Sequence, residues 1–167
     1  MALLPILEYP DPRLKKVAAA VTDFTPDVVR LVRDMAETMY AAPGIGLAAT
    51  QVDVHKRIIV IDASEARDGL VVLVNPEIIS ASGEIECEEG CLSVPGYYDK
   101  VVRAARITFR ARTERGEAYE RTVEDMLAVC VQHEMDHLVG RMFVDYLSPL
   151  KRARLKQKQR KKQRLAG

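Results

Sequence analysis

The sequence predicts an α+β fold in a single domain. Its 167 residues are 48% hydrophobic, enough apolar material for one buried core. Apolar residues recur at helical spacing near 28–40 and 124–138, whereas short β-branched runs and alternating patterns lie between residues 57 and 123. A helix, a group of strands and further helices, with neither a linker nor an internal repeat between them, indicate one α+β domain.

The first helix is predicted from Thr25 to about Tyr40, because Thr25 offers an N-cap hydroxyl and Pro26 suits the first helical position. Strand patterns follow at 57–61, 70–74, 101–112 and 118–123, with a hairpin tip at 115–117. A second helix is expected from 124 to 138, ended by Gly140. Ser148 and Pro149 open a last, strongly basic helix.

Charge divides the chain into two parts. Residues 151–167 hold nine Lys or Arg and no acid, which leaves 16 basic and 24 acidic side chains in residues 1–150. We therefore interpret 1–150 as one domain and 151–167 as a basic C-terminal helix or tail with a separate role.

Three observations predict a protein of the cytoplasm. No apolar run approaches the roughly 18 residues that a membrane span needs. The N-terminus lacks the basic lead and the cleavage site of a signal peptide. The three cysteines are an odd number, which favours reduced thiols over a disulfide framework. We also expect a monomer.

The strongest functional signal is His133-Glu-Met-Asp-His137 in the second predicted helix. Residues four apart lie on the same helix face, so the two imidazoles can bind one metal ion. Glu134 follows the first of them, where its carboxylate can take a proton from water that the metal activates. The motif predicts a metallohydrolase.

A catalytic metal needs a third protein ligand and an open position for water. The only acid after His137 is Asp145, and no Cys or His follows, so the third ligand is expected upstream. This disfavours proteases of the His-Glu-x-x-His type that take a downstream Glu as the third ligand.

The upstream candidates are Cys87, Cys91, Cys130 and His55. Cys130 lies seven residues before His137, about 10.5 Å along a helix axis, too far for both to bind one ion. Cys91 is favoured over Cys87 because Gly90 precedes it in a turn-like segment, and His55 is expected at the surface. A set of one thiolate and two imidazoles suits Fe(II), Zn, Ni or Co about equally.

A third segment is Gly44-Ile-Gly-Leu-Ala-Ala-Thr-Gln51. It lacks the Lys and the further Gly of a phosphate-binding loop, so nucleotide binding is disfavoured. One interpretation is a turn followed by a helix start rich in small residues. The other is a close-packed wall beside the metal, with backbone free to pair with a peptide and Gln51 aimed at a developing oxyanion.

These three segments, with Glu89-Gly-Cys-Leu-Ser93 as the middle one, resemble peptide deformylase in order and spacing over residues 1 to about 150. The resemblance implies an α+β fold of antiparallel β-sheets packed around a central helix that carries the His-Glu-x-x-His motif. It implies hydrolysis of the N-formyl group from the initiator methionine of nascent polypeptides. The chain departs from the family at Tyr98, where many members have Arg.

The resemblance also implies roles for single residues. Cys91, His133 and His137 would be the metal ligands, with Fe(II) the common ion and Zn, Ni or Co as substitutes. Glu134 would be the general acid and base. Gln51 and the backbone N–H of Leu92 would stabilise the oxyanion.

Glu89 and Arg103 form a further expected pair, in which Glu89 would orient a metal-bound imidazole.

The substrate would need an apolar pocket for methionine and backbone to pair with. Ile45, Val129 and Cys130 are the pocket candidates, although plain core packing also explains them. The extended peptide would pair with backbone near Gly44 to Gly46 and near Glu88 to Gly90.

The basic tail has three interpretations. It is a solvated helix end, a contact with ribosomal RNA phosphates, or a membrane-surface helix. The third is disfavoured because only Leu155 and Leu165 could form an apolar face. For the whole protein, the alternatives to a deformylase are a metalloprotease that cuts internal peptide bonds and a binding module with a structural metal.

Overall fold

The computed structural model describes residues 2–166 and has the predicted α+β class. Its helices are α1 (Pro26–Ala41), α2 (Asp125–Leu138) and α3 (Pro149–Ala166). Its strands are β1 (Gly46–Ala48), β2 (Ile58–Ile61), β3 (Val71–Ser82), β4 (Ile85–Cys91), β5 (Val94–Arg103), β6 (Arg106–Arg112) and β7 (Ala118–Glu124). None of the helices in the described range is long and apolar enough to cross a membrane.

The strands form two antiparallel sheets. One has five strands in the order β1-β2-β3-β6-β7, and the other is the β4–β5 hairpin. Strand β1 is therefore an edge strand. The free edges of β1 and β4 border the same cavity, as described below.

Helix α2 packs between the two sheets. Its buried residues Val131 and Leu138 join Ile59 and Phe109 in one apolar cluster on the five-stranded sheet. Its opposite face meets the hairpin through the polar contacts of the site. The helix that carries the two histidines is thus central, as the family resemblance implies.

Helix α1 covers the other face of the five-stranded sheet, where Val32 and Met35 pack with Ile58 and Val60. Because alternate residues of β2 point to α1 and α2, all four of its residues are buried. This explains why the segment is an unbroken apolar run.

The basic C-terminal segment is a helix that packs on the domain. Leu155 is 3% exposed and joins a cluster with Val94 and Phe143. Two glutamines one and two turns later bind backbone carbonyls, Gln159 that of Pro95 and Gln163 that of Tyr9.

The prediction of a single strand over 101–112 is wrong. Strand β5 ends at Arg103 and β6 begins at Arg106, because the chain passes from the hairpin into the five-stranded sheet at Ala104. The alternating pattern of Ile107 and Phe109 belongs to β6 alone. Strand β4 and the second half of β3 were not predicted, because β4 contains three glutamates and residues 77–82 of β3 are all exposed and do not alternate.

The boundaries of α1 and α2 agree with the predictions, but the predicted hydroxyl cap of α1 is not formed. Thr25 occupies the N-cap of α1 without a side-chain hydrogen bond, so Pro26 at the first position marks that boundary. Gly140 follows α2 with φ +78°, and its N–H donates to the His137 carbonyl. A left-handed residue after the last turn is the glycine termination expected there.

Candidate metal centre and active site

Cys91, His133 and His137 meet at one point between α2 and the hairpin. One ligand-type atom from each lies within 4.8 Å of the other two. The Sγ of Cys91 is 3.5 Å from Nε2 of His137. The two histidines share a helix face through their spacing of four, and the β4–β5 hairpin supplies the thiol from the opposite side.

The tight end of the hairpin places Cys91 and its neighbours. Cys91 pairs with Val94 across a two-residue turn formed by Leu92 and Ser93. A Cβ at Gly44 would lie 2.6 Å from Cδ1 of Leu92, so the segment before β1 and the Leu92 side chain pack in direct contact. Leu92 therefore lies next to the metal-ligand cluster.

Gln51 is fixed with its amide nitrogen toward the cluster. It lies in a 3-10 turn directly after β1 and is 1% exposed. Its Oε1 accepts a hydrogen bond from the Ala48 N–H at 2.9 Å. Its Nε2 donates to Ser93 Oγ at 3.0 Å and lies 3.5 Å from Cys91 Sγ. The amide N–H is thus aimed at the site, and Ser93 is a partner that sequence reasoning missed.

His133 is held by a buried charged network. Its Nδ1 donates to Glu89 Oε1 at 2.8 Å, which leaves Nε2 facing the cluster. Arg103 binds Glu89 through two nitrogens, at 2.5 and 2.9 Å, and Asp136 Oδ2 at 3.0 Å. Tyr146 donates to the same Asp136 oxygen at 2.9 Å. The contact expected between Glu89 and Arg103 is present, whereas Asp136 and Tyr146 were not anticipated.

Burial and neighbouring charges both shift the pKa values of the groups in this network. Burial disfavours a charged His133, but the carboxylates of Glu134 and Glu89 and the Cys91 thiol raise its pKa. Burial and the neighbouring His133 lower the pKa of His137. Burial opposes ionisation of Glu89, but its hydrogen bonds with His133 and Arg103 and the charge of Arg103 hold the pKa of that carboxyl below its usual value.

Glu134 is the one buried carboxylate that points to the cluster without a hydrogen-bond donor at Oε1, within residues 2–166. Its Oε2 lies 3.9 Å from Nε2 of His133. Burial raises its pKa to about 7. A Cβ at Gly46 would lie 2.5 Å from Oε2, so β1 and this carboxylate are packed directly together.

The donor set fits a divalent metal ion. One thiol and two imidazoles converge, and beside them Oε1 of the buried Glu134 carboxylate has no hydrogen-bond partner within residues 2–166. These residue types are those of a three-ligand catalytic site. Among the other upstream candidates, His55 bonds to the Arg13 carbonyl, and Cys87 and Cys130 line the neighbouring cavity.

A cavity of about 720 Å³ opens beside the cluster. All six residues predicted to bind substrate line it, namely Gly44, Ile45, Gly46, Gly90, Val129 and Cys130. Met126 and Tyr98, 47% and 63% exposed, also line it and were not among the candidates.

Comparison with known proteins decides the family. A family model described as polypeptide deformylase matches residues 3–153. The chain belongs to the polypeptide deformylase family. As a deformylase, the protein is a metal-dependent hydrolase that removes the N-formyl group from nascent polypeptides. Family membership over nearly the whole chain does not favour the alternative of a protease that cuts internal bonds.

Related deformylases match the chain almost from end to end. Peptide deformylase 2 of Nitrosomonas europaea is 60% identical over 98% of this chain and 89% of its own length. Peptide deformylase 1 of Burkholderia multivorans is 61% identical over 98% and 91%. The expected deformylase identity is thus confirmed.

Solved deformylase structures share the fold. The Legionella pneumophila enzyme superposes with a TM-score of 0.93 at 49% identity, covering 98% of this chain and 97% of its own. The Ehrlichia chaffeensis enzyme, solved with actinonin, gives 0.95 at 41% identity, covering 98% and 99%. The deformylase fold expected from the sequence is confirmed.

Proposed function

We propose that Cys91, His133 and His137 are the ligands of the catalytic metal in this deformylase, and that the ion is Fe(II). The convergence of the three side chains within 4.8 Å supports the ligand set. The thiolate and imidazole donors suit Fe(II), and Zn, Ni or Co can take its place. When bound, the ion would polarise the formyl oxygen and lower the pKa of the attacking water.

Glu134 is the general acid and base. Its pKa of about 7 matches proton transfer near neutral pH. As water attacks the formyl carbon, Glu134 accepts the proton. It then returns that proton to the methionine nitrogen as the bond to formate breaks.

Gln51 Nε2–H and the Leu92 backbone N–H stabilise the oxyanion. The Nε2 of Gln51, which is the hydrogen-bond donor, lies 3.5 Å from Cys91 Sγ, and contacts with Ala48 and Ser93 hold the side chain there. A donor fixed before the reaction stabilises charge without reorganisation, which is why its contribution is large.

The substrate lies between the free edges of β1 and β4 as an added strand. Gly44, Ile45 and Gly46 border the cavity on one side and Gly90 on the other. Backbone groups on exposed strand edges bind an extended peptide whatever its sequence, which suits an enzyme of many nascent chains. Val129 and Cys130 form the apolar wall for the methionine side chain.

Formate release from formyl-Met-Ala-Ser, measured without oxygen on the Fe(II)-loaded protein, tests this assignment. We expect Glu134→Gln to lose at least about 100-fold in kcat while retaining its metal, as expected for a lost general base. Glu124→Gln is the matched control, because Glu124 is an exposed carboxylate paired with Arg106. Full activity of Glu134→Gln with metal bound would refute the role of Glu134.

The basic helix α3 binds ribosomal RNA. Its inward face is set by Leu155 and Gln159, so seven of its nine basic side chains remain exposed. An exposed basic face suits a phosphate backbone. The same proposal places a monomeric enzyme in the cytoplasm, beside the ribosome that makes its substrate.

Charge substitution tests this better than deletion, because removing α3 would uncover the cluster that contains Leu155. Replacement of Lys158, Lys161 and Lys162 by Gln should weaken co-sedimentation with ribosomes and flatten its salt dependence. Replacement of the same residues by Arg keeps the charge and should preserve binding. Binding that is insensitive both to salt and to the Gln substitutions would refute the proposal.

A further inference from the structure

Arg67 reaches from the loop between β2 and β3 to the backbone that borders the cavity. Its guanidinium donates to the Gly44 carbonyl and, at 2.9 Å, to the Asp62 carbonyl. It also stacks on the ring of Tyr40, 5.0 Å from the ring centroid. One side chain thus joins the end of α1, the β2–β3 loop and the start of β1.

Asp62 fixes the conformation of the β2–β3 loop, and this conformation brings Arg67 next to Gly44. Its carboxylate accepts hydrogen bonds from Tyr40 Oη at 2.6 Å, from Ser64 Oγ at 2.5 Å and from the Gly69 N–H at 3.2 Å. Asp62 is 0% exposed. So many donors to one buried carboxylate make the loop a rigid support.

The contact between Arg67 and the Gly44 carbonyl also fixes the direction of the Ile45 N–H, because both groups belong to the same peptide unit. In a planar trans peptide, the N–H of Ile45 points opposite to the carbonyl of Gly44. Since Arg67 binds that carbonyl on the loop side, the N–H is directed away from the loop. Within residues 2–166 this N–H has no hydrogen-bond acceptor, and Ile45 lines the cavity.

We propose that Arg67 is a positioning residue, which directs the Ile45 N–H toward the carbonyl of the substrate's methionine. This rests on the proposed addition of the substrate strand along β1. Gly46 packs on Glu134, so the backbone at 46 adjoins the reacting formyl group. The methionine carbonyl is the first acceptor along the substrate beyond that group, and Ile45 is the next residue along β1.

The test compares two substrates that differ only in this carbonyl. One is the methyl ester of N-formyl-methionine, and the other is the methyl ether of N-formyl-methioninol, in which a CH2 group replaces the ester carbonyl. With wild type, we expect kcat/KM to fall by about tenfold without the carbonyl, as for one lost hydrogen bond. With Arg67→Met, the difference between the substrates should shrink to about twofold.

Three controls separate positioning from folding. Arg67→Lys keeps one donor for Gly44 and should recover part of the effect. Arg57→Met removes a comparable half-buried contact, between Arg57 and the Pro76 carbonyl at 2.6 Å, and should leave the substrate difference at its wild-type size. Bound metal and thermal midpoint are measured for every variant.

Failure of the role proposed for Arg67 can be distinguished from failure of the strand-addition proposal. If Arg67→Met retains the full tenfold difference, Arg67 has no positioning role, whereas the strand-addition proposal stands. If wild type itself turns over both substrates equally, Ile45 does not bind the methionine carbonyl and the placement of the substrate along β1 is refuted as well.

Discussion

Substitution of Glu89 by Gln should separate metal affinity from folding stability. The carboxylate of Glu89 is 2.8 Å from Nδ1 of His133 and binds Arg103 at two positions. Both Glu89 and Arg103 are about 5% exposed at their side chains. Glutamine has nearly the same shape, but it carries no charge and replaces one accepting oxygen by an NH2 group that cannot accept from Arg103 or His133.

Two magnitudes follow from these contacts. Loss of one partner from a buried ion pair costs about 3–5 kcal/mol, because the other charge is left uncompensated. Arg103 retains Asp136 at 3.0 Å, which reduces the expected loss of unfolding free energy to about 2–3 kcal/mol. A weaker partner for the His133 imidazole should lower metal affinity by about 10- to 100-fold.

Urea unfolding of the metal-free protein measures the first quantity, and competition with a chelator of known affinity measures the second. The double variant Glu89→Gln with Arg103→Met removes both charges and should recover part of the stability but none of the metal affinity. If Glu89→Gln changes neither quantity, the proposed role of Glu89 in orienting His133 is refuted.

Three further outcomes are expected. Gln51→Ala should lower kcat by about 10²–10³-fold with metal content unchanged, and equal loss of both would make Gln51 a structural residue. Gly46→Ala should lower kcat by on the order of 10-fold or more, because the added Cβ would lie 2.5 Å from Glu134 Oε2 and would push that carboxylate out of place. An unchanged kcat would show that the carboxylate can move aside without loss of function. Burial opposes ionisation of Asp62, but hydrogen bonds from Ser64 and Tyr40 hold its pKa at about 2. Since that pKa lies below the unfolded value, the stability that Asp62 adds is present above about pH 4 and is lost toward pH 2. Thermal midpoints of Asp62→Asn and wild type should therefore converge over that interval, and a constant difference would contradict this.

Local patterns predicted most of the secondary structure but not the hairpin at the site. The boundaries of α1 and α2 follow from Pro26, the apolar spacing and Gly140, which act within one or two turns. Three of the seven residues of β4 are glutamates, and the one that is buried is Glu89, so this strand lacks an alternating apolar pattern. Its pairing depends on contact with α2 and α3, which no short window of sequence contains.

The candidate site divides in the same way. The sequence by itself determined that His133 and His137 share a helix face, since a spacing of four on a helix is local geometry. Their spacing also placed Glu134 beside them. Motif order then pointed to a deformylase, which the family comparison confirmed.

Only the tertiary structure decided which groups meet these histidines. It brought Cys91 rather than Cys87 within 4.8 Å of them, because the register of the β4–β5 hairpin places one thiol at the turn and the other along the cavity wall. It also joined Arg67 to Gly44 across 23 residues. Such contacts depend on how separate elements pack, and the chemical identity of a single residue does not encode its distant partner.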